Sequence, residues 1–222
     1  WAPQTIYDHK AKKYMIYFTL QRNDRKSLIT YYAYANKDFT GFESEPKQLF
    51  SAKYGSIDND IIEKDGTYHL FYKGNTKDEN GKEIKNGIQQ ATSKSLKGKW
   101  KEDFKYLDAY AGKTPVEGSS IFKLNGKDEY VLMYDMYTSG RYEYQTSTDL
   151  YHFSEPKAFT KDFFPRHGSV ISLTRDELQR LQEKWGYVVR YEFESQGNPI
   201  VHHIHTADPA ALVKGDTLWL FA

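Results

Sequence analysis

Three acidic residues recur at similar places along the chain, each shortly before a strand pattern rich in apolar and aromatic residues. Asp58 lies in SID, Glu117 in VEGS and Asp208 in TADP. Carboxyl groups gathered at one point can serve as general acid and general base, because burial and mutual repulsion move their pKa values apart. These three residues are therefore the first candidates for acid–base chemistry.

The strands that follow the acids form a repeat that must position them. Equivalent aromatic residues mark these strands: Tyr14 in YMIYF, Tyr68 in YHLFYK, Tyr130 in YVLMYD and Trp219 in LWLFA. A second landmark, SKSL or STDL followed by an aromatic residue, recurs within two of the repeats. Sheets repeated around an axis bring one end of each innermost strand to a common point. The repeat therefore predicts an all-β propeller whose acids face one pocket.

The pattern changes in the last quarter of the chain. Residues 166–171 (RHGSVI) are a short strand candidate. Thr174 and Glu177 then form the sequence of a capping box, which predicts the start of a helix. Apolar residues recur on one face until Gly186, a typical helix terminator. We therefore predict one short helix near 175–185 within an otherwise all-β chain.

Composition excludes several classes of function. The chain has 31 basic and 30 acidic residues, so its net charge of +1 creates no field that favours nucleic acid or a membrane surface. It has no cysteine, which excludes disulfides and thiolate metal sites. No apolar run is long enough to span a bilayer. Aromatic residues make up 16 %, which suits both β structure and stacking against sugar faces.

Two carboxyl groups that flank a sugar linkage are what glycoside hydrolysis requires. One is protonated and assists the leaving oxygen, and the other activates water. Asp58 and Glu117, at equivalent ends of neighbouring repeats, fit this arrangement. The alternative is that each acid caps local backbone at a strand start. Asp60 is the main rival to Asp58, but we expect it to point to the opposite side of the strand or to lie further in.

Five short motifs together resemble a known family. In chain order they are WAP, SID, VEGS, RHGS and TADP, and they resemble glycoside hydrolase family 43. The resemblance extends over nearly the whole chain, from Trp1 to Ala222. It implies a five-bladed β-propeller that hydrolyses α-L-arabinofuranosyl or β-xylosyl linkages with inversion.

The resemblance also implies roles for the three acids. Glu117 matches the general acid, Asp58 the aspartate that tunes its pKa and orientation, and Asp208 the general base. To act as an acid, Glu117 should have its pKa raised by burial and by a neighbouring carboxylate such as Asp58. Inversion would place the carboxyl groups of Glu117 and Asp208 roughly 6.5–9.5 Å apart, whereas about 5 Å would indicate retention.

Other residues are candidates for contact with the substrate. Trp1 can stack on a sugar ring. Arg166 and His167 can bind sugar hydroxyls, and His167 can also lie near a central ion. A lone histidine more often makes a structural hydrogen bond, so that interpretation stays open. Asp135 and Arg141 are further pocket candidates.

The order of the motifs departs from the family, because the base motif comes last instead of first. Residues 1–190 would then form blades two to five of a propeller, and residues 198–222 the first strands of a first blade. Either the propeller is circularly permuted and Asp208 completes it, or a second, tandem propeller begins near residue 198. The abrupt ends at Trp1 and Ala222 favour a fragment of a tandem protein.

Expectations about partners follow from the resemblance. We expect a carbohydrate substrate, and neither nucleic acid nor a membrane span. A tandem propeller in the parent chain is one of the two arrangements above. No cofactor is required, although a structural calcium ion near the propeller axis is compatible with the family. The location would be secreted or periplasmic. Two alternatives to family 43 catalysis stay open: a catalytically silent glycan-binding propeller, and a propeller of the fructan-hydrolysing type, which would have the shorter carboxylate spacing.

Overall fold

The computed structural model describes most of the chain, namely residues 1–21, 23, 28–77, 80–110, 113–159, 166–186 and 210–221. Within these residues the chain forms three four-stranded antiparallel sheets, one two-stranded hairpin and one helix. The predicted all-β class with one short helix is confirmed.

Each four-stranded sheet is a meander, in which strands adjacent in sequence pair with one another. The first sheet contains β1 (Gln4–Asp8), β2 (Lys13–Gln21), β3 (Leu28–Tyr34) and β4 (Lys47–Phe50). The second contains β5 (Ser56–Lys64), β6 (Thr67–Lys77), β7 (Glu83–Ser93) and β8 (Lys101–Glu102). The third contains β9 (Glu117–Lys123), β10 (Tyr130–Met136), β11 (Arg141–Ser147) and β12 (Lys157–Ala158).

The repeat inferred from the aromatic residues corresponds to these sheets. Tyr14, Tyr68 and Tyr130 each lie in the second strand of a sheet. Asp58 and Glu117 lie in first strands, β5 and β9, which contact each other across the boundary between sheets. Both acids thus lie near the start of neighbouring first strands, but one position out of register, because Ile57 and not Asp58 corresponds to Glu117 in the ladder with the second strand.

Two apolar cores hold the sheets together. Tyr17 of β2 packs with Leu70 and Tyr72 of β6 between the first and second sheets. Phe71 of β6 packs with Leu132 of β10 between the second and third. Because both faces of the middle sheet are covered, successive β6 side chains are buried without alternation. Each such burial stabilises the fold by about 1.5–3 kcal/mol.

The helix α1 (Arg175–Trp185) begins and ends as predicted. Thr174 is its N-cap, with Glu177 completing a capping box, and Gly186 is its C-cap. No residue of α1 is buried, so its apolar stripe is not part of either core. Among the described residues, no helix has the length and apolar character that crossing a membrane requires.

The prediction of a strand over residues 166–171 is wrong. The described segment 166–174 contains no strand. Its residues instead use side chains to contact two different sheets: Arg166 contacts the third sheet and Ser169 the first. A segment that crosses between sheets in this way has no neighbouring strand with which to form a ladder.

The chain's last described element is a hairpin of β13 (Ala210–Lys214) and β14 (Thr217–Phe221). Strand β13 lies beside β1 of the first sheet. The Nζ atom of Lys214 donates a hydrogen bond to the carbonyl oxygen of Lys37 at 3.0 Å and lies over the ring of Phe39. The hairpin therefore contacts the first sheet at its β1 edge and at the segment that follows β3.

Candidate active site

A bulge in β5 aims Asp58 at the neighbouring sheet. The register between β5 and β6 shifts between Ile57 and Asp60, and Asp58 has φ of 55°, a left-handed conformation that is costly for a residue with a side chain. The buried carboxylate accepts a hydrogen bond at its Oδ2 from the backbone N–H of Gly118, at 2.9 Å. The hydroxyl of Ser119 donates to the carbonyl oxygen of Asp58 at 2.5 Å. The start of β5 is thus joined to the start of β9.

Asp60 also faces β9, contrary to the expectation that it would point to the opposite side. Its Oδ2 accepts a hydrogen bond from the backbone N–H of Ile121 at 2.8 Å, and its Oδ1 accepts one from the hydroxyl of Tyr17 at 3.3 Å. Residues two apart in a strand share a face, and the bulge does not reverse this. Burial raises the pKa of Asp60 to about 7, against the opposing effect of these hydrogen bonds. Asp60 therefore links three sheets.

Glu117, the first residue of β9, lies at the centre of a group of basic side chains. Its Oε2 is 2.7 Å from Nζ of Lys73. Its Oε1 is 3.3 Å from a guanidinium nitrogen of Arg166 and 3.4 Å from Nε2 of His167. The side chain of Glu117 is only 15 % exposed. Both carboxylate oxygens are therefore engaged by donors.

The expectation that Glu117 would have a raised pKa is wrong for this state of the protein. Burial does raise its pKa, but hydrogen bonds from His167 and Lys73, together with the charge of Lys73, outweigh burial and hold the pKa at about 2. The carboxyl group is ionised at neutral pH. The prediction failed because the cations beside Glu117 come from segments that are distant in the sequence.

Arg166 and Asp135 extend the site within the third sheet, from β9 to β10. The Nε atom of Arg166 donates to Oδ2 of Asp135 at 2.7 Å, and Asp135 is the β10 partner of Glu117 in the ladder. The predicted candidate Asp135 thus lies in the site. Arg141 does not join it: its guanidinium contacts Met136 and Glu143 instead.

His167 packs directly on Gly118. Gly118 has φ of 64°, and a Cβ atom there would lie 2.6 Å from Cδ2 of His167. Only glycine therefore allows both the backbone turn at the start of β9 and the approach of the imidazole. The reactive atoms of Asp58, Glu117 and His167 all lie within 4.8 Å of one another. The three motifs SID, VEGS and RHGS thus meet at one place.

The N-terminal segment forms the opposite wall. A small cavity of about 20 Å³ is lined by Asp58, Gly118 and His167 from the acidic side and by residues 2–4 from the first sheet. The side-chain amide of Gln4 donates to the hydroxyl of Ser169 at 2.8 Å, which joins the two walls. A space of this volume holds about one water molecule, so a sugar ring would have to bind outside it.

Trp1 does not line this cavity. Its amino group donates to the carbonyl oxygen of Thr19 at 2.6 Å, and Thr19 donates back through its N–H at 3.0 Å. The residue is 51 % exposed. Trp1 therefore lies at the surface, beside the wall that residues 2–4 form. Its stacking on a sugar ring stays a prediction.

Asp208 lies outside the described residues. Its role as base, and its separation from Glu117, stay predictions. The sequence analysis missed Lys73. The signal that could have identified it is a lysine directly following the buried run of strand β6, where a charge needs a partner.

The donors at this place fit calcium poorly. Asp58, Glu117 and His167 offer one imidazole nitrogen and two carboxylates, whereas calcium takes six to eight oxygens. Glu117 is also engaged by Lys73 and Arg166, whose charges repel a cation. The described residues do not form a calcium cage, and a calcium ion near the axis stays a prediction.

With the fold and the site established, the chain can be compared with known proteins. A family profile described as "Probable glycosyl hydrolase domain", related to glycosyl hydrolase family 43, matches residues 1–179. The chain therefore belongs to this family 43-related group, and the resemblance noted from its motifs is confirmed. Among curated protein sequences none matches the chain significantly.

Solved structures share the fold at low sequence identity. A GH43_1 enzyme from Xanthomonas citri, determined with xylotriose, has a TM-score of 0.55 at 18 % identity, over 79 % of this chain and 60 % of that one. A "putative exo-beta-1,3-galactanase" from Bifidobacterium bifidum s17 has a TM-score of 0.52 at 20 % identity, over 71 % of this chain and 50 % of that one. This chain thus spans half to three fifths of the length of these proteins.

Proposed function

We propose that this chain is the larger part of a glycosidase domain in which Glu117 is the general acid and Asp58 orients it. The observation that carries the proposal is the convergence of Asp58, Glu117 and His167 within 4.8 Å, on strands from neighbouring sheets. At that distance Asp58 can influence the charge and position of Glu117, while the general base that glycoside hydrolysis also requires would be Asp208. Membership of the family supports the class of reaction.

The proposal includes a five-bladed propeller, of which the three sheets would be blades two to four. The placement of β13 beside β1 supports the permuted arrangement, since a first blade in the same propeller would be the neighbour of the first sheet. Asp208 lies two residues before β13 and would then be the general base of the same site.

Protonation of Glu117 is the step that the proposal must explain. A general acid works best with a pKa near the working pH, yet the basic side chains hold the pKa of Glu117 at about 2. A substrate that displaces Lys73 or Arg166 from the carboxylate would remove a cation and water together, and both changes raise the pKa. Glu117 would then donate its proton to the leaving oxygen while a base opposite activates water.

The substrate would be a neutral plant-type glycan. We propose α-L-arabinofuranosyl or β-xylosyl linkages, and the xylotriose in the Xanthomonas citri structure supports the xylosyl choice. The name of the Bifidobacterium bifidum protein makes β-1,3-galactosyl linkages the third class to assay. A secreted or periplasmic location would give access to such polymers.

Removal of the carboxyl group at Glu117 tests the proposal. We expect Glu117→Gln to lower kcat by about 10²–10⁴ on unactivated oligosaccharides, since proton donation to the leaving group is lost. Asp208→Asn should lower it comparably if the base is in the same site. Glu129→Gln, at the far end of the β9–β10 hairpin, is the matched control and should leave kcat unchanged. The anomer first released, read by NMR, distinguishes inversion from retention.

A catalytically silent glycan-binding domain is the second candidate, and the ionised state of Glu117 favours it. This candidate predicts binding of xylo-, arabino- or galacto-oligosaccharides by calorimetry with no product release from any of them. Hydrolysis by the wild-type chain that Glu117→Gln abolishes would exclude it. Hydrolysis that survives in Glu117→Gln would instead refute the assignment of Glu117.

A further inference from the structure

Lys73 is a cation that directly follows the buried apolar run of strand β6. The three residues before it in β6 are fully buried, and its own side chain is only 16 % exposed. An ammonium group withdrawn from water needs a carboxylate or an aromatic face beside it. Lys73 has both: its Nζ is 2.7 Å from Oε2 of Glu117 and 5.1 Å from the centroid of the Tyr137 ring.

The position of Lys73 follows from the bulge in β5. Lys73 pairs with Ile57, the last β5 residue before the register shift that carries Asp58 towards β9. The same irregularity therefore brings Asp58 to the backbone of β9 and leaves Lys73 within reach of the first side chain of β9. One local feature of β5 places both neighbours of Glu117.

We propose that Lys73 is a positioning residue that fixes one oxygen of the Glu117 carboxylate and keeps the group ionised until a ligand displaces it. Its consequence for catalysis rests on the proposed function, in which Glu117 is the general acid. Its effect on the charge of Glu117 does not, and can be measured separately.

Other charged groups that face Glu117 contribute differently. Arg166 is 62 % exposed and shares its guanidinium with Asp135, so solvent screens its effect. His167 carries a charge only when its imidazole is protonated. Asp58, a carboxylate nearby, acts in the opposite sense. Among the described residues around Glu117, Lys73 is thus the best-buried cation whose charge does not depend on pH near neutrality, because lysine stays charged there.

Removal of Lys73 should change the pH dependence of catalysis in a definite direction. An ion pair with Lys73 holds the pKa of Glu117 low, so the protonated form is lost at low pH. Removal of the ammonium group should raise that pKa and extend the protonated form to higher pH. In the proposed mechanism, Lys73→Met would therefore move the alkaline limb of kcat/KM to higher pH.

The direct test is a titration of Glu117 in the full 222-residue chain. With ¹³C-labelled glutamate side chains, the Glu117 carboxyl signal is assigned as the one missing in Glu117→Gln and followed by NMR. We expect a pKa well below 4.5 in the wild type and a rise of about 1–3 in Lys73→Met. Lys73→Arg, which keeps the charge, should restore most of the low value.

Lys64→Met is the matched control. Lys64 is similarly exposed, at 18 %, and also lies over a tyrosine ring, but its carboxylate partners are Asp65 and Asp128. It should leave the Glu117 titration unchanged. A wild-type value at or above 4.5 would overturn the proposal even if Lys73→Met does not fold, and so would an unchanged value in a folded Lys73→Met. A raised value without hydrolysis of any glycan would support Lys73 and refute the proposed function instead.

Discussion

At the scale of single residues, two carboxyl groups two positions apart in β5 have different environments. Asp58 is held by the backbone N–H of Gly118 at the rim of a cavity. Asp60 lies between sheets, against the hydroxyl of Tyr17 and the N–H of Ile121. The pKa of Asp60 is raised to about 7 because burial disfavours its charge more than its hydrogen bonds favour it. Asp60 is thus a structural residue whose ionisation opposes folding.

Asp60 should make the stability of the chain depend on pH. Its pKa is raised from 3.8 to about 7 in the folded chain, so its contribution is fully present below about pH 4 and is lost as the pH rises to about 7. Asp60→Asn resembles the protonated form and cannot ionise. We expect this variant to exceed the wild type in free energy of unfolding by about 1–3 kcal/mol at about pH 8, and to equal it near pH 4. Urea denaturation at both pH values measures the difference, and an equal difference at both would contradict the assignment.

At the scale of elements, the start of β9 is the point where the site is assembled. Glu117 opens the strand, Gly118 donates to Asp58 and supports His167, and Ser119 donates to the backbone of β5. Three consecutive residues thus contact three other segments of the chain, namely β5, β6 and the segment that begins at Arg166. This explains why VEGS is recognisable as a motif: each position has its own steric or hydrogen-bonding requirement.

Gly118→Ala should damage the site more than its backbone strain explains. The added methyl group would lie 2.6 Å from the His167 ring, and the residue would also have to adopt φ of 64°. The matched control is Gly126→Ala, where φ is 72° and nothing lies within 4 Å of the added atom. We expect each to lose about 1 kcal/mol from strain. Only Gly118→Ala should lose more and displace the His167 resonance in an NMR spectrum; similar losses in both variants would show that the contact is unimportant.

At the scale of the whole molecule, segments from the C-terminal part of the described chain contact the first sheet. Ser169 contacts Gln4, Lys214 contacts Lys37, and β13 lies beside β1. Arg180 of α1 pairs with Asp216 in the turn of the last hairpin. These contacts connect residues far apart in sequence. Under the proposed permuted arrangement, these contacts would belong to a single cooperative unit.

Deletion of all residues after Gly186 tests this arrangement. If the hairpin completes the same propeller, the shortened chain loses its packing against β1 and should unfold at a temperature lower by at least about 2–4 °C, the equivalent of about 1 kcal/mol for a domain of this size. The full chain should show one calorimetric transition. An unchanged midpoint in the shortened chain would favour the tandem arrangement.

The fold was largely predictable from local pattern, because each sheet is a meander of adjacent strands. Aromatic residues at positions 14, 68 and 130 mark equivalent second strands, and the capping box at Thr174 marks the helix. Pairing of adjacent strands and capping of a helix depend on residues that are close together in the sequence, so the sequence pattern indicates both. The strand expected over residues 166–171 failed because that segment's partners lie on two distant sheets.

For the site, the sequence was enough to show which acids recur and that Asp58 and Glu117 occupy equivalent strands. The charge of Glu117 depends on the folded chain, because the cations that contact it come from β6 and from the segment after the third sheet. Likewise, only the packing of β5 against β9 shows that Asp60 faces β9, where its carboxylate accepts a hydrogen bond from the N–H of Ile121. Identities of reactive groups are local properties, whereas a pKa is set by every charge and cavity within a few ångströms, whatever its position along the chain.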